Sequence, residues 1–314
     1  MSLKDKIQSN FAGQLAISEL HAIESKIVPM LISDEKAVKK YYKFVSGKEL
    51  DLDNPKTFSE KLNWYKLNDR NPLMVQCADK VAVRDYVAKC GYKDSLNEIY
   101  GVYKKVSEIN LDNLPNHFVL KASHGSHMNI IVKDKSQINW HKARMMMRSW
   151  LHQDIAWSGR EWCYRYVPKR IIAEKYLEDE SGELRDYKFF CFNGQPMCLQ
   201  LELGRFKDNN IRNFYDVNWE LLPFGKGIPH NSNVHVNKPK KFKYMLQMAK
   251  EFSKLFQFVR VDLYQVDNKV YFGELTFFPA GGAANFIPSK WDVVVGSWWK
   301  LEHKHSISRE RERE

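Results

Sequence analysis

The chain has 314 residues, with 49 Lys and Arg against 38 Asp and Glu, a formal charge of +11. Its 44% hydrophobic and 13% aromatic content supports a buried core and excludes a disordered tail, a collagen-like repeat and a coiled coil. No run approaches the roughly 20 apolar residues of a membrane span, and residues 1–10 lead into no apolar stretch with a small-residue cleavage site.

Taken in chain order, the first fifty residues read as helical. Phe11, Leu15, Leu20 and Ile27 punctuate polar sequence, and Asp34-Glu35-Lys36 marks a helix start. A turn-rich stretch, 51–57, precedes a second helical pattern built on Phe58, Leu62 and Tyr65. Residues 78–90 read as one helix with Val81, Val83 and Val87 apolar, stopped by Gly91. Residues 118–120 and 130–132 form a hairpin around the small-residue loop 121–127. A helix over 140–153 and strands over 170–176 and 187–192 follow, and a turn at Gly194-Gln195-Pro196 leads into 197–203. Residues 243–256 carry Met245, Met248, Ala249, Phe252 and Phe256 at helical spacing, a core-packing stripe. Lys238-Pro239-Lys240-Lys241 is a basic loop, and the tail 308–314 alternates Arg and Glu and is expected to be disordered. Five cysteines, Cys77, Cys90, Cys163, Cys191 and Cys198, form no C-x-x-C pair and read as buried free thiols.

The most informative segment is 259–278, where alternation predicts a hairpin. With a three-residue loop at 267–269, Val266 pairs with Val270, Asp262 lies opposite Glu274 and Arg260 faces Thr276. Val259, Val261, Leu263, Tyr271, Leu275 and Phe277 then share the core face. A two-residue turn would put the two carboxylates on opposite faces. Carboxylates directly opposite one another need a cation between them. That cation is either Mg²⁺, shared with phosphates, or Arg260 itself, neutralising Asp262 on a solvated face.

Other chemistry is sparse. Neither the P-loop nor the G-x-G-x-x-G fingerprint is present. The loop after Lys121 has small residues, Ser123, Gly125 and Ser126, that let backbone N–H groups approach an anion. His124 and His127 lack the further ligands that zinc requires, and there is no G-x-S-x-G elbow. Asp51-Leu52-Asp53 is a D-x-D triplet of the kind that holds a metal in many sugar-nucleotide glycosyltransferases.

In order, these elements resemble the ATP-grasp superfamily, in its TupA-like branch associated with teichuronopeptide and capsular or surface polysaccharide biosynthesis. The resemblance rests on Asn54-Pro55-Lys56-Thr57-Phe58-Ser59-Glu60-Lys61-Leu62, Ala78-Asp79-Lys80, Arg84-Asp85-Tyr86-Val87, Phe118-Val119-Leu120-Lys121 and His124-Gly125-Ser126. It continues through Ala173-Glu174-Lys175-Tyr176-Leu177, Asp186-Tyr187-Lys188-Phe189-Phe190, Arg260-Val261-Asp262 and Gly273-Glu274-Leu275-Thr276 to Pro279. It implies an α+β ATP-grasp fold, two α+β subdomains clamping ATP, with a helical N-terminal region. The corresponding division is 1–77, 78–172, 173–300 and a tail 301–314.

The resemblance also implies roles. Lys80 and Lys121 match lysines that contact ATP phosphates, and Ser123, Gly125 and Ser126 lie in the loop that closes over them. Glu174, Lys175 and Leu177 match the strand that reads adenine, Asp186 the ribose-binding acid, and Lys188 a phosphate or substrate contact. Arg260 and Lys121 are the expected catalytic cations. Asp262 and Glu274 match the Mg²⁺ carboxylates, with Thr276 where the superfamily usually has Asn. His127 stands where a smaller residue is common.

The expected activity is an ATP-dependent carboxylate–amine ligase acting through an acyl phosphate, with ATP and Mg²⁺ as cofactors. Its partners would be a carboxylate-bearing sugar or glycan precursor, expected as a hexuronic acid, and an amine, expected as an amino acid. The alternatives are a glycosyltransferase of the same pathway using Asp51 and Asp53, and a non-catalytic glycan- or nucleic-acid-binding protein. The basic excess fits an anionic glycan or lipid-linked precursor better than nucleic acid. The expected location is the cytoplasm, including the inner face of the cell membrane.

Overall fold

A computed structural model describes residues 31–178, 184–203, 211–283 and 285–302, with isolated positions 13, 16, 19, 20, 23 and 27. Most of the helical reading of the first thirty residues, the loop 179–183 and the tail 303–314 lie outside the described residues. The helices, in chain order, are α1 (Asp34–Ser46), α2 (Phe58–Asn68), α3 (Leu73–Ala78), α4 (Val83–Lys89), α5 (Trp140–His152), α6 (Ala156–Gly159), α7 (Phe242–Ser253) and α8 (Lys290–Ser297). The strands are β1 (Ile99–Tyr103), β2 (Phe118–Ala122), β3 (Asn129–Val132), β4 (Ile171–Lys175), β5 (Asp186–Phe192), β6 (Gln195–Leu203), β7 (Ile211–Asp216), β8 (Leu221–Leu222), β9 (Gly225–Lys226), β10 (Phe258–Val266), β11 (Lys269–Thr276) and β12 (Phe286–Ile287). No helix among the described residues is long and apolar enough to cross a membrane.

The chain forms two compact units that interleave in sequence. One comprises Met1–Asp34, Asp79–Ala82 and Asn97–Tyr176; the other comprises Glu35–Ala78, Val83–Leu96 and Leu177–Glu314. The first unit holds an antiparallel sheet in the order β1-β4-β2-β3. Strand β4 belongs here because it is hydrogen-bonded between β1 and β2. Phe118, Leu120 and Ala122 alternate toward a core completed by Ile171, Ala173 and the α5 residues Ala143, Met147 and Trp150. Period-2 alternation therefore sends Val119 and Lys121 to the other face, paired with Glu174 and Ile172.

The second unit is built on a six-stranded antiparallel sheet, β11-β10-β5-β6-β7-β8. Helix α7 covers one face, burying Met245, Met248, Ala249 and Phe252, with Phe242 stacked on Phe189. The sequence expectation for that stripe holds. The other face changes character along the strands. At one end Phe190, Phe192 and Phe258 pack on Phe58 of α2, and Phe58, Phe192 and Phe258 pack on Trp299, with centroids 5.2–6.2 Å apart. At the other end it is polar.

Helix α2 begins where the motif Thr57-Phe58-Ser59-Glu60 predicts. The Thr57 hydroxyl accepts from the Glu60 N–H at 3.1 Å, and Glu60 accepts from the Thr57 N–H at 2.9 Å, a reciprocal cap. Helix α8 packs against α2 so closely that a Cβ on Gly296 would strike the Lys56 carbonyl.

Three local readings need correction. The expected helix 78–90 is broken over 79–82, because the Asp79 carboxylate accepts from the Val81 N–H at 3.0 Å and pairs with Arg170. The turn before β6 is Asn193 and Gly194, both left-handed at φ 47° and 78°, and Gln195 already pairs with Phe192. The turn of the second hairpin is two residues, Asp267 and Asn268, with Val266 paired to Lys269. The five cysteines are free, and all but Cys90 are buried.

Candidate functional site

The hairpin β10–β11 brings the predicted acids together by a route that the sequence did not reveal. Its two-residue turn sets a register in which Leu263 pairs with Phe272. Gly273 is then bulged out of β11, and from there Asp262 pairs with Glu274 and Arg260 with Thr276. A side chain at Gly273 would meet the Asp262 carbonyl and the Tyr264 ring at 2.8 Å, so glycine is required. The bulge also corrects the core face: Val270 and Phe272 are buried, whereas Tyr271 is half-buried under the Lys269 ammonium.

Arg260 grips Asp262 with both ends of its guanidinium, Nε to Oδ1 at 2.7 Å and Nη2 to Oδ2 at 2.6 Å. Nη2 also donates to the Thr276 hydroxyl at 3.0 Å and lies 3.4 Å from Glu274 Oε1, which accepts from the Thr276 hydroxyl at 3.1 Å. Asp262 is 2% exposed. Burial is the largest influence on its carboxyl and pushes it upward; the Arg260 guanidinium opposes this, and Asp186 and Glu274 add to it. The Arg260 guanidinium meets this carboxylate through a bidentate, charge-assisted pair. Two carboxylates and a hydroxyl form an all-oxygen donor set suited to a hard divalent cation. In this arrangement Arg260 is the counter-ion, the alternative that the hairpin pattern had left open.

The register extends this polar row across the sheet. Asp262 pairs with Lys188, Tyr264 with Asp186, Asp186 with Glu202, and Glu202 with Arg212. Lys188 Nζ lies 2.7 Å from Asp186 and 3.1 Å from Glu202, all three side chains being less than a tenth exposed. Arg212 closes on Glu202 at 2.5 Å. Burial opposes ionisation of Glu202, but Arg212 and Lys188 hold it down to about 2.

Sequence reasoning missed Glu202, Arg212 and, above all, Lys226. Lys226 is 4% exposed, with its ammonium over the rings of Phe58, Phe190 and Phe286 at 5.2, 5.8 and 5.8 Å. Burial, reinforced by the field of Arg260, depresses it to about 7. The only local signal was its place between Gly225 and Gly227, since no periodicity identifies so short a strand.

In the first unit, Lys121 forms an ion pair with Glu174 on the face away from α5. Lys80 donates from Nζ to the Gly125 carbonyl at 2.7 Å, and its backbone N–H to the Ser123 carbonyl at 3.3 Å. Lys80 and Gly125 thus meet in the loop that follows β2, and Lys121 and Glu174 pair across β2 and β4. Ser123 is turned inward: its hydroxyl donates to the Pro168 carbonyl at 2.7 Å and accepts from the Arg170 N–H at 3.0 Å. It anchors the loop and presents no hydroxyl to a ligand. Ser126 and His127 are exposed, and His127 sits at φ 59°. His124 is buried, its Nε2 3.0 Å from the Trp150 carbonyl, and burial lowers it to about 4. Among the described residues no group of three or more His, Cys, Asp and Glu is arranged for a metal. Lys175 is exposed, while Leu177 is half-buried and belongs to the second unit.

The D-x-D triplet is a turn. Asp51 Oδ1 accepts from the backbone N–H groups of Asp53 at 3.0 Å and Asn54 at 2.9 Å, as an aspartate does in a turn before proline.

Three comparisons bear on this architecture. No curated protein matches the sequence. Solved structures that it resembles include D-alanine–D-alanine ligase from Bacillus anthracis complexed with ATP, 14% identical over 64% of this chain and 55% of that one, TM-score 0.38. The D-alanine–D-alanine ligase from Helicobacter pylori is 15% identical over 73% and 61%, TM-score 0.40. Phosphoribosylamine–glycine ligase from Thermotoga maritima is 13% identical over 67% and 49%, TM-score 0.40. The chain therefore spans about half to three-fifths of the length of these proteins. The TupA-like ATPgrasp family model matches residues 60–300, and the chain belongs to that family.

Proposed function

We propose that this protein is an ATP-dependent carboxylate–amine ligase. The reaction is the joining of an amino acid or other amine to a hexuronic acid during capsular or surface polysaccharide biosynthesis. The observation that carries the reading is the buried Arg260–Asp262 pair, held against Glu274 and Thr276 at the polar end of the sheet. A guanidinium held in place by a buried carboxylate is preorganised for a transferring phosphoryl group.

In this reading a substrate carboxylate oxygen attacks the γ-phosphorus of ATP, ADP leaves, and an acyl phosphate forms. The amine nitrogen then attacks the acyl carbon, phosphate leaves, and the nitrogen loses a proton to give the amide. Arg260 steadies the phosphoryl oxygens. Lys188, drawn between Asp186 and Glu202, is oriented toward the same polar face. On the first unit, Lys80 and Lys121 meet phosphate oxygens, with Gly125 and Ser126 in the covering loop. Glu174, Lys175 and Leu177 contact the base and Asp186 the ribose. Asp262, Glu274 and Thr276 would hold Mg²⁺, which neutralises triphosphate charge when bound. The exposed Lys238, Lys240, Lys241 and Lys243 suit an anionic glycan or lipid-linked precursor presented at a membrane surface.

Thermal denaturation with ATP and Mg²⁺ tests the reading. The wild type should be stabilised by the nucleotide, as any ligand of the native state stabilises it. Lys121→Ala and Asp262→Asn should each lose that stabilisation and ADP formation while keeping native circular dichroism. Full ADP production by either variant would refute the assignment.

A further inference from the structure

The second unit contains a polar cavity of about 150 Å³ away from the hairpin acids, lined by Tyr42, Lys48, Ser59, Phe286, Ser289 and Asp292 among others. Its lining is polar, with four hydroxyl-bearing side chains, one carboxylate and one ammonium. The pocket is partly open, with Lys48 and Ser289 exposed at its edge, and its polar lining suits a polar occupant.

Asp292 is the most telling member. Its Oδ1 accepts both the Ser59 N–H at 2.9 Å and the Ser59 hydroxyl at 3.1 Å. That satisfies an otherwise orphaned donor in the first turn of α2. Among the described residues no hydrogen bond ends on Oδ2. Capping needs one neutral acceptor oxygen, which asparagine would supply, so it does not account for a charge. Burial pushes the Asp292 carboxyl upward, and its hydrogen bonds from Ser59 and the field of Lys226 oppose this.

Two further facts fix the kind of occupant. Asp292 and Lys48 put both signs of charge on one small cavity, which complements a zwitterion. Ala283 and Phe286 add an apolar wall for a short side chain. Phe286 also connects the cavity to the candidate site, since Lys226 Nζ lies 5.8 Å from the same ring and feels the fields of both Asp292 and Arg260.

We infer that this cavity is the pocket for the amine substrate, and that the substrate is a small zwitterionic amino acid with its ammonium on Asp292 Oδ2 and its carboxylate toward Lys48. The inference rests on the ligase reading above, which requires an amine-bearing substrate besides the nucleotide and the acid.

The test uses the full chain with saturating ATP and Mg²⁺, titrated calorimetrically with each standard amino acid and, for those that bind, with the analogue lacking the amine. At least one amino acid of small volume should bind, and its deaminated analogue should not. Asp292→Asn should weaken that binding about tenfold or more, about 1.4 kcal/mol, while ATP–Mg²⁺ still raises the melting temperature. Lys48→Met changes an exposed residue, so its melting temperature should match the wild type while amino-acid binding weakens severalfold. Amino-acid binding that both variants leave untouched, or ATP–Mg²⁺ stabilisation with no amino acid bound, would overturn the pocket alone. Absence of ATP–Mg²⁺ stabilisation in the wild type would overturn the ligase reading and the pocket with it.

Discussion

Asp262 stands opposite Glu274 because Gly273 is bulged between Phe272 and Glu274, restoring a register that the two-residue turn had set the other way. Without the bulge, every residue from Glu274 onward would exchange faces, sending one acid to the core. Gly273→Val should therefore lower stability by about 1–3 kcal/mol, as expected for an overpacked site, and reduce stabilisation by ATP–Mg²⁺. Urea unfolding with and without nucleotide reads both effects. Wild-type stability and nucleotide response in this variant would remove the bulge from the account.

Arg260 and Asp262 should behave as a unit. Arg260→Met leaves a buried carboxylate without its partner and should cost about 3–5 kcal/mol, whereas replacing both members by apolar residues is often near neutral. The double variant Arg260→Met/Asp262→Leu should thus recover much of the loss in urea unfolding. It should still form no ADP. Recovered turnover in that double variant would show that the pair serves structure only.

Lys226 gives the second unit a pH signature. Its folded-state value, about 7, lies below the ordinary 10.5, so between these values the unfolded chain binds more protons than the folded one. Stability attributable to this residue therefore rises with pH, starting near pH 7, by up to about 1.4 kcal/mol per pH unit. Asp262 and Asp292, raised from the carboxylate range, contribute the opposite slope below this window. The cysteines and tyrosines held above their ordinary values of 9.0 and 10.0 lower stability with pH from about pH 9 upward, inside the upper part of this window. Urea unfolding of the wild type and Lys226→Met from about pH 7 to 8.5 isolates the lysine: the difference between them should change by about 1 kcal/mol per pH unit. Parallel profiles would place a charged, solvated ammonium at this position.

The D-x-D triplet should prove structural. Asp53→Ala should leave ATP turnover unchanged, and Asp51→Ala should cost about 0.5–1.5 kcal/mol, the scale of lost turn hydrogen bonds. Loss of all turnover in Asp53→Ala, measured by coupled ADP assay, would favour a transferase.

Much of this site was legible because hairpin alternation is a local property. Segregating polar from apolar residues around Asp262 and Glu274 found the correct pairing even though the turn length was wrong, since burial of Val261, Leu263 and Leu275 enforces the register from beyond the turn. What escaped was tertiary. The helix break at Asp79 depends on Arg170, and the inward turn of Ser123 depends on Pro168, both distant in the chain. Lys226 looked like one lysine of many until Phe58, Phe190 and Phe286 closed around it. Asn193-Gly194, by contrast, was a readable turn signal.

The central claim is best tested by mass spectrometry of the protein incubated with ATP, Mg²⁺, a set of hexuronic acids and the standard amino acids. The account predicts a product whose mass is the sum of acid and amine less one water, formed one for one with ADP and absent with a folded Asp262→Asn variant. A sugar-transfer product formed without ADP, or an amide that Asp262→Asn makes as well as the wild type, would contradict it.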